Sequence, residues 1–223
     1  MKGIILAAGK GTRLYPMTKP VCKPLLPVYD KPLIYYSIAV LMEADIRDIM
    51  IIIPPEEEQT FRKLLGDGSA FGVQITYAVQ YVARGIADAF LVAEDFVQGD
   101  CACLILGDNI FYAKDLREKL MQAASNPNGA TVFGYYVDDP RAFGVVEFDE
   151  NGTAISLEEK PKHPKSNYII PGLYFYDAEV LALAKTLQPS ARGELEITDL
   201  NRLYLESGKL QVIPLESDFV WMD

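Results

Sequence analysis

The chain opens with Gly3-Ile-Ile-Leu-Ala-Ala-Gly-Lys-Gly-Thr-Arg-Leu14, where a short apolar run passes directly into a glycine-rich turn. The run from Ile4 to Ala8 predicts a buried strand. Ligands of an open α/β sheet bind beyond the carboxyl ends of its strands, and glycines there let backbone N–H groups approach an anion. Arg13 adds a planar cation suited to phosphate. The opening therefore predicts a strand followed by a phosphate-binding loop.

Two common nucleotide-binding motifs do not match this loop. The Rossmann dinucleotide pattern needs a third glycine where Leu14 stands, and the P-loop pattern Gly-x4-Gly-Lys-Ser/Thr is absent. Leu14 and Arg13 therefore disfavour an NAD-binding oxidoreductase. Lys10 and Arg13 could also be solvated surface charges, so the loop taken alone leaves a structural turn open as the alternative.

Composition limits the classes of function. The 223 residues, half of them apolar, fit one large domain with an ample core. A formal net charge of −10 argues against a general nucleic-acid binder, so any anion site must be a local cluster of Lys and Arg. No apolar stretch is long enough to cross a membrane, and none resembles a signal peptide. Cys22, Cys101 and Cys103 show no zinc spacing, which predicts reduced thiols in a cytoplasmic protein.

Strand and helix patterns alternate in the first half, which predicts a parallel, doubly wound sheet. The predicted strands there are Ile4–Ala8, Ile49–Ile53, Val73–Val79 and Cys101–Leu106, and the predicted helices are Pro32–Ala44, Glu56–Leu65, Gly85–Val97 and Asp115–Ser125. After a predicted turn at Asn126–Gly129 come strands Ala130–Val137, Gly144–Phe148, Ala154–Leu157, Tyr168–Tyr176 and Leu210–Leu215, with helices Asp177–Thr186 and Ile197–Glu206. We expect an α/β fold, Rossmann-like and three-layered (α/β/α), with a mostly parallel mixed central sheet and extra antiparallel strands in the second half.

Two residues of the first half are candidates for the site that the loop begins. Lys23 lies in the proline-rich segment 19–27, whose stiffness would fix an ammonium near the loop, although a solvated lysine is the simpler alternative. Asp108 follows a predicted strand and a glycine. It would suit Mg²⁺ bound together with phosphates, or it would cap a helix.

The second half adds two cations and one residue to exclude. Lys160 lies in the mixed-charge run Glu158–Pro161, and Arg192 stands alone in a loop; both positions are equally typical of an exposed surface. His163 is the only histidine and lies in a turn rich in Lys and Pro, so the sequence predicts no His-based triad.

Taken in order, these segments resemble the sugar-1-phosphate nucleotidyltransferases along the whole chain, and most closely the branch that joins dTTP to glucose 1-phosphate. The resemblance is carried by Gly3–Leu14, Lys23–Pro32, Leu106–Asn109, Phe143–Phe148, Leu157–Pro161, Lys165–Tyr168, Gly172–Asp177 and Arg192–Asp199. One such segment would be weak support, whereas all of them in order are specific.

The resemblance implies a role for each matching position. The catalytic cations would be Arg13, Lys23, Lys160 and Arg192. The nucleotide would be bound by Ala8, Gly9, Gly11, Thr12, Arg13, Lys23 and Asp108, with Gln80 and Gly85 recognising the base. The sugar phosphate would be bound by Asn109, Gly144, Glu159, Lys160, Ile170, Tyr174 and Arg192. Asp108 and Asp223 would hold the cofactor, Mg²⁺.

The resemblance also implies a reaction. An oxygen of glucose 1-phosphate attacks the α-phosphorus of dTTP in line, and pyrophosphate leaves; no general base is required because that oxygen is already ionised. Ala8, Pro24 and Asp88 depart from the pattern of the thymidylyl-transferring members, so UTP is kept as an alternative nucleotide. A non-catalytic regulatory protein that binds sugar nucleotides is the alternative from another class.

Assembly and organisation follow from the same resemblance. We expect a cytoplasmic homo-oligomer, a dimer or a tetramer, with no nucleic-acid or membrane partner. The chain would form a single domain, 1–223, with a nucleotide-binding half at about 1–128 and a sugar-phosphate-binding half at about 129–223. Members of the family continue with further helices past the position of Asp223.

Overall fold

The computed structural model describes residues 1–9, 11–126, 128–216 and 218–223. Lys10 of the glycine loop and Pro127 of the predicted turn lie outside these residues. The strands are β1 (Lys2–Leu6), β2 (Pro27–Val28), β3 (Lys31–Pro32), β4 (Asp48–Ile53), β5 (Gln74–Val79), β6 (Ala102–Leu106), β7 (Ile110–Tyr112), β8 (Ala130–Tyr136), β9 (Gly144–Phe148), β10 (Ala154–Glu159), β11 (Tyr168–Ile169), β12 (Leu173–Tyr176), β13 (Leu210–Pro214) and β14 (Val220–Met222). The α-helices are α1 (Ile34–Glu43), α2 (Glu58–Leu65), α3 (Asp88–Val92), α4 (Glu94–Val97), α5 (Leu116–Ala124), α6 (Val180–Ala184) and α7 (Ile197–Glu206).

One mixed sheet organises the fold. Its ten strands follow the order β10-β9-β11-β8-β12-β6-β1-β4-β5, and β13 pairs with β8. Strands β6, β1, β4 and β5 run parallel, whereas β12 is antiparallel to both β6 and β8. Strands β9, β10 and β11 continue the antiparallel part. The predicted mixed sheet, with a parallel first half and antiparallel additions, is confirmed.

The sheet lies between two layers of helices because its strands are apolar on both faces. Ile5 and Ile51 face a core formed with helices α1, α2 and α5. Their neighbours Ile4 and Ile52 face a second core formed with α3, α4, α6 and α7. Runs that are buried on both faces are typical of parallel strands covered by helices. The α/β/α layering predicted from the sequence is therefore confirmed.

The direction of the crossovers places a crevice beside β1. The chain goes from β1 to β4 through α1 and from β4 to β5 through α2, with both helices in the same layer. It then returns to β6, on the other side of β1, through α3 and α4 in the opposite layer. The loops that leave β1 and β6 therefore diverge, which is where ligands of doubly wound sheets bind.

Three element predictions from the first half need correction. Strand β1 begins at Lys2, which pairs with Ala102, and ends at Leu6, so the chain turns away before Ala8. The helix predicted from Gly85 begins at Asp88 because Gly85 has a φ of +102°, and it breaks at Ala93 into two short helices.

Helix α1 also begins later than predicted. It starts at Ile34 because Pro32 belongs to β3, which forms a hairpin with β2 that the sequence reading missed.

Two predictions from the second half were too long. The single strand predicted over 168–176 is two strands, since Pro171 lacks an N–H and the backbone turns at residues 170–172. The helix predicted from Asp177 begins at Val180 because the Asp177 carboxylate instead accepts hydrogen bonds from the N–H groups of Gly129 and Glu179.

Candidate active site

The glycine loop follows β1 into the crevice, and its two glycines have different reasons to be there. An added Cβ on Gly9 would meet no described atom within 4 Å, so this residue borders open space. Gly11 has a φ of +58°, and an added Cβ would lie 3.2 Å from the Cβ of Lys23 and 3.1 Å from Thr18. Thr18 also donates a hydrogen bond of 2.6 Å to the carbonyl of Gly11. The proline-rich segment therefore does return past the loop, and glycine makes the close approach possible.

Lys23 joins the loop to two carboxylates. Its Nζ lies 2.9 Å from Asp108 Oδ2 and 2.8 Å from Asp223 Oδ1, and only 17% of its side chain is exposed. Burial alone would lower the pKa of Lys23, but hydrogen bonds and charge from Asp223 and Asp108 more than offset burial and raise that pKa. The ammonium therefore remains charged at neutral pH and holds both carboxylates at one point.

A short strand pair brings these carboxylates together. Asp108 precedes β7, Asp223 follows β14, and the two strands pair antiparallel with Met222 opposite Ile110. Asn109 secures the pair, since its Oδ1 accepts hydrogen bonds from Trp221 Nε1 (2.8 Å) and the Gly172 N–H (3.1 Å). Its Nδ2 donates to Asp108 at 3.1 Å. Asn109, predicted to bind the sugar, is thus almost fully buried and already engaged with its protein neighbours.

Glu159 is the centre of the opposite wall. Its Oε2 accepts a hydrogen bond of 2.5 Å from Thr198, and its Oε1 lies 3.5 Å from Lys160 Nζ and 3.4 Å from Arg192 Nη2. Gly144 permits this arrangement, because a Cβ there would lie 2.7 Å from Thr198 Oγ1. Lys160 has a φ of +45°, an uncommon conformation for a residue with a side chain, directly after β10 ends. The two cations therefore meet one carboxylate that the Thr198 hydroxyl holds in place.

Arg192 is braced by further acidic residues. Its Nη2 lies 2.8 Å from Glu196 Oε2 and 3.1 Å from Glu194, and its Nε donates to Glu196 at 3.1 Å. Hydrogen bonding to Glu196, which is itself buried, raises the pKa of Arg192 despite partial burial. Its Nη1 donates no hydrogen bond to any described residue, so one edge of the guanidinium remains available to an anion.

Three cavities connect these parts. The large cavity, about 720 Å³, is bordered by Arg13, Asp108, Lys160 and Arg192. The loop cavity, about 190 Å³, is bordered by Gly9, Gly11, Lys23 and Asp108. The outer cavity, about 360 Å³, is bordered by Ala8, Gly9, Tyr15 and Gln80. Asp108 is shared by the first two and Gly9 by the last two, so the three cavities form a row.

Two apolar residues complete the large cavity. Ile170 and Tyr174, both buried, line it beside Gly144. Burial raises the pKa of Tyr174 well above its ordinary value, and the charges of Glu159 and Asp223 add to this effect. The phenol therefore stays protonated and can donate a hydrogen bond, but it supplies no base.

The base-recognition residues differ in position. Gln80 follows β5 and borders the outer cavity, where its Nε2 donates a hydrogen bond of 2.8 Å to Asp88. Gly85 packs instead against another loop, since an added Cβ would lie 2.4 Å from the Leu195 carbonyl oxygen. The N–H of Leu195 donates to the Arg84 carbonyl, and the N–H of Ala87 donates to that of Leu195. Gly85 therefore joins the loop after β5 to the segment that carries Arg192.

Residues 2–223 match the sequence profile described as Nucleotidyl transferase. The chain belongs to the nucleotidyl transferase family. A relative from Neisseria meningitidis, named glucose-1-phosphate thymidylyltransferase, is 58% identical over 223 residues, which are all of this chain and 77% of the relative. A relative of the same name from Mycolicibacterium smegmatis is 52% identical, again over all of this chain and 77% of that protein.

Solved structures agree with this membership. A Bacillus anthracis protein provisionally named glucose-1-phosphate thymidylyltransferase, crystallised with sucrose, superposes with a TM-score of 0.92 at 48% identity. The match covers all of this chain and 89% of that one. A UDP-glucose pyrophosphorylase complexed with UDP-glucose superposes at 0.82, covering all of this chain and 92% of that one. At 22% identity, this second similarity shows the fold alone.

This nucleotidyl transferase brings most of its predicted site residues to one crevice. Arg13, Asp108, Lys160, Arg192 and Asp223 border the large cavity, and Lys23 borders the neighbouring loop cavity. Thr12, Asn109, Gly144, Glu159, Ile170 and Tyr174 also line the large cavity, whereas Gly85 lines none of the three. The roles assigned to these residues stay predictions.

The sequence reading missed several residues of the crevice. Thr198 and Asn201 lie on the buried face of α7 and line the large cavity. In the sequence, these two residues are recognisable as polar positions on an otherwise apolar face of the helix. Glu196 and Trp221 had no local signal, because their importance depends on contacts with Arg192 and Asn109.

Other chemistries find little support in the crevice. The thiol of Cys22 borders the outer cavity, but burial, with the charge of Glu57, raises its pKa to about 12, so it is a poor nucleophile. Across the described part of the chain, no three His, Cys, Asp or Glu residues gather as they would around a metal.

No helix within the described part of the chain combines the length and apolarity that a membrane span requires.

Proposed function

We propose that this nucleotidyl transferase joins dTTP to α-D-glucose 1-phosphate, forming dTDP-glucose and pyrophosphate. One observation carries the proposal. Two cavities with cations on their walls, one holding Lys23 and the other Lys160 and Arg192, meet at a single carboxylate, Asp108. Such a pair of chambers suits two phosphorylated ligands whose phosphates must touch. The names of the relatives at 52% and 58% identity support dTTP and glucose 1-phosphate as those ligands.

The row of cavities suggests how the nucleotide would lie. Its base would occupy the outer cavity beside Gln80, and its triphosphate would follow the open space at Gly9 toward Lys23. Backbone N–H groups of a glycine loop bind phosphate oxygens well, and Arg13 borders the far side where the α-phosphate would meet its partner. The sugar phosphate would lie in the large cavity, with its phosphate between Lys160 and Arg192.

The main obstacle to this reaction is repulsion between two polyanions. Lys23, Lys160 and Arg192 would offset it and stabilise the charge that spreads over the transferring phosphate. Holding both reactants in line contributes about 7–11 kcal/mol of barrier reduction in favourable cases. The attacking phosphate oxygen is already ionised, so no side chain needs to remove a proton.

Asp108 and Asp223 would hold Mg²⁺. Both carboxylates lie within hydrogen-bonding distance of the Lys23 ammonium, at 2.9 and 2.8 Å, so both face one point at which a cation would be held. Two carboxylates are the usual protein contribution to a magnesium site that phosphates and water complete. When bound, Mg²⁺ would supply positive charge that offsets the negative charge of the phosphates.

Pyrophosphate release tests the proposed function. The purified protein is incubated with Mg²⁺, glucose 1-phosphate and either dTTP or UTP, and pyrophosphate is measured with a coupled enzyme assay. We expect release that requires both substrates and is faster with dTTP. Faster release with UTP would replace the proposal with uridylyl transfer, and no release with any nucleotide would overturn it.

A further inference from the structure

A fully buried carboxylate lies behind the outer cavity. Asp88 is the first residue of α3, and it has no exposed surface. The core around it is apolar. A buried carboxylate without partners would be strongly destabilising. Its two oxygens have two neighbours: Gln80 Nε2 at 2.8 Å from Oδ2, and Arg84 Nη2 at 3.0 Å from Oδ1. The contact with Arg84 is close, but its geometry does not make a hydrogen bond.

The contact with Gln80 fixes which way that amide faces. A carboxylate accepts hydrogen bonds and cannot donate them, so only the NH₂ end of the amide can turn toward Asp88. The backbone N–H of Gln80 also donates to the Ile53 carbonyl, which anchors the residue at the end of β5. The carbonyl end, Oε1, must then point away from Asp88.

Oε1 remains available on the cavity side. It accepts no hydrogen bond from any described residue, and it is not among the polar atoms buried without a partner. Gln80 borders the outer cavity together with Ala8 and Gly9. The amide therefore presents an acceptor to whatever occupies that cavity.

An acceptor at this place selects among pyrimidines. Thymine and uracil carry an N–H at ring position 3, which can donate to Oε1, whereas cytosine has an unprotonated nitrogen there. The unpaired acceptors of cytosine and Gln80 would face each other, and leaving a buried polar group unpaired weakens binding.

We propose that Asp88 is a positioning residue that sets nucleotide specificity by holding the Gln80 amide with its carbonyl toward the base. The inference rests on the proposed function for the identity of the ligand. Asp88 does not touch the nucleotide; it acts through Gln80. The role differs from that of a purely structural carboxylate because it makes base preference depend on residue 88.

The Asp88→Asn variant tests the inference with almost no change in volume. Because Arg84 attracts the Asn oxygen, the new NH₂ group faces Gln80, whose amide then turns over and presents Nε2 to the cavity. We expect the ratio of dTTP affinity to dCTP affinity to fall by about tenfold. Isothermal titration calorimetry with dTTP, UTP and dCTP measures these affinities without requiring turnover.

Two further variants separate positioning from stability. Arg84 is 60% exposed, so Arg84→Ala removes the ion pair and leaves the Gln80 contact; its affinity ratio should match that of the unchanged protein. Gln80→Ala removes the group that Asp88 positions. In the Gln80→Ala background, Asp88→Asn should change the ratio no further, as two residues acting through one contact require. Thermal unfolding confirms that each variant is folded.

The outcomes distinguish this inference from the proposed function. Binding with the expected ratios but no pyrophosphate release would contradict the proposed function and leave Asp88 as the positioning residue. An unchanged ratio in Asp88→Asn would overturn the inference, even if dTTP is turned over rapidly. The same conclusion would follow if Asp88→Asn altered the ratio equally in the absence of Gln80, or if the unchanged protein did not distinguish dTTP from dCTP.

Discussion

The two sides of the crevice hold their cations in different ways. On the loop side, Lys23 is largely buried and is held by Asp108 and Asp223, the two carboxylates proposed to hold a metal. On the opposite side, Lys160 and Arg192 are 43% and 40% exposed, and their main acidic partners are fixed by other protein groups. Glu159 accepts from Thr198, and Glu196 accepts from Ser190.

This difference indicates different responses to ligands. Asp108 and Asp223 pair with Lys23 in the free protein and are also the proposed metal ligands. Their ion pairs with Lys23 can therefore break when phosphates and a metal bind. Glu196, the closest partner of Arg192, lines none of the three cavities, so it forms a fixed support for the guanidinium beside the edge that faces an anion. A chain with a net charge of −10 can thus keep cations ordered in an anion site before any ligand binds.

The largest effect is expected from Lys23→Ala. Removing a preorganised donor from the transferring phosphates costs about 3–4 kcal/mol, or roughly a hundredfold to a thousandfold in kcat. Steady-state pyrophosphate release with dTTP and glucose 1-phosphate measures it. Lys63→Ala, on the exposed face of α2, is the matched control and should keep full activity. Comparable rates for the two variants would show that Lys23 does not act on the phosphates.

A smaller and more selective effect is expected from Arg192→Lys. The guanidinium reaches Glu196 through Nε and Nη2, while its Nη1 donates to none of the described residues, and an ammonium cannot reproduce this geometry. Losing a charged hydrogen bond costs about 1.5–3 kcal/mol, so KM for glucose 1-phosphate should rise roughly tenfold to a hundredfold. KM for dTTP should stay within a few-fold, because Lys23 and the loop remain. Equal changes in both constants would indicate that the supported guanidinium acts on both ligands.

More of the loop side than of the opposite side could be predicted from the sequence. Gly9, Gly11 and Asp108 follow strands that are mostly apolar, and the rule for carboxyl strand ends brings them together without knowledge of the contacts. The stiffness of the proline-rich segment makes Lys23 a candidate neighbour of the loop, with a solvated lysine as the alternative. The structure adds the reason for Gly11, which is the closeness of Lys23 and Thr18 to the place that a Cβ would occupy.

Contacts between distant short elements could not be predicted in the same way. Strands β7 and β14 are three residues each, too short for a period of two to be recognised, and they lie more than a hundred positions apart in the sequence. Only the resemblance to known sequences placed Asp223 beside Asp108. The buried Thr198 and the brace at Glu196 likewise depend on where helix α7 packs, which local pattern does not specify.

Gly85 connects the two sides, and its substitution should act on stability. In Gly85→Ala the new Cβ would lie 2.4 Å from the Leu195 carbonyl oxygen at a φ of +102°, so one of the two loops must move. Strained packing and backbone together suggest a loss of about 2 kcal/mol in the free energy of unfolding. Chemical denaturation followed by circular dichroism measures it. Gly152→Ala is the control, since it also has a positive φ but no described atom within 4 Å of the added Cβ. Equal losses in both would assign the cost to backbone conformation alone.

The smallest expected effect is on metal affinity. It tests directly whether a metal can replace Lys23 at Asp108 and Asp223. In the free protein the Lys23 ammonium forms ion pairs with both carboxylates, so it competes with a divalent cation for their oxygens. Lys23→Ala should therefore bind Mn²⁺ about tenfold more tightly in the absence of nucleotide, a change of about 1.4 kcal/mol. Electron paramagnetic resonance of free Mn²⁺ reports this affinity without any turnover. Lys160→Ala should leave it unchanged, because Lys160 pairs with Glu159 and not with Asp108 or Asp223. Unaltered Mn²⁺ affinity in Lys23→Ala would mean that Lys23 does not compete for these carboxylates. The proposed difference between the two sides of the crevice would then be wrong.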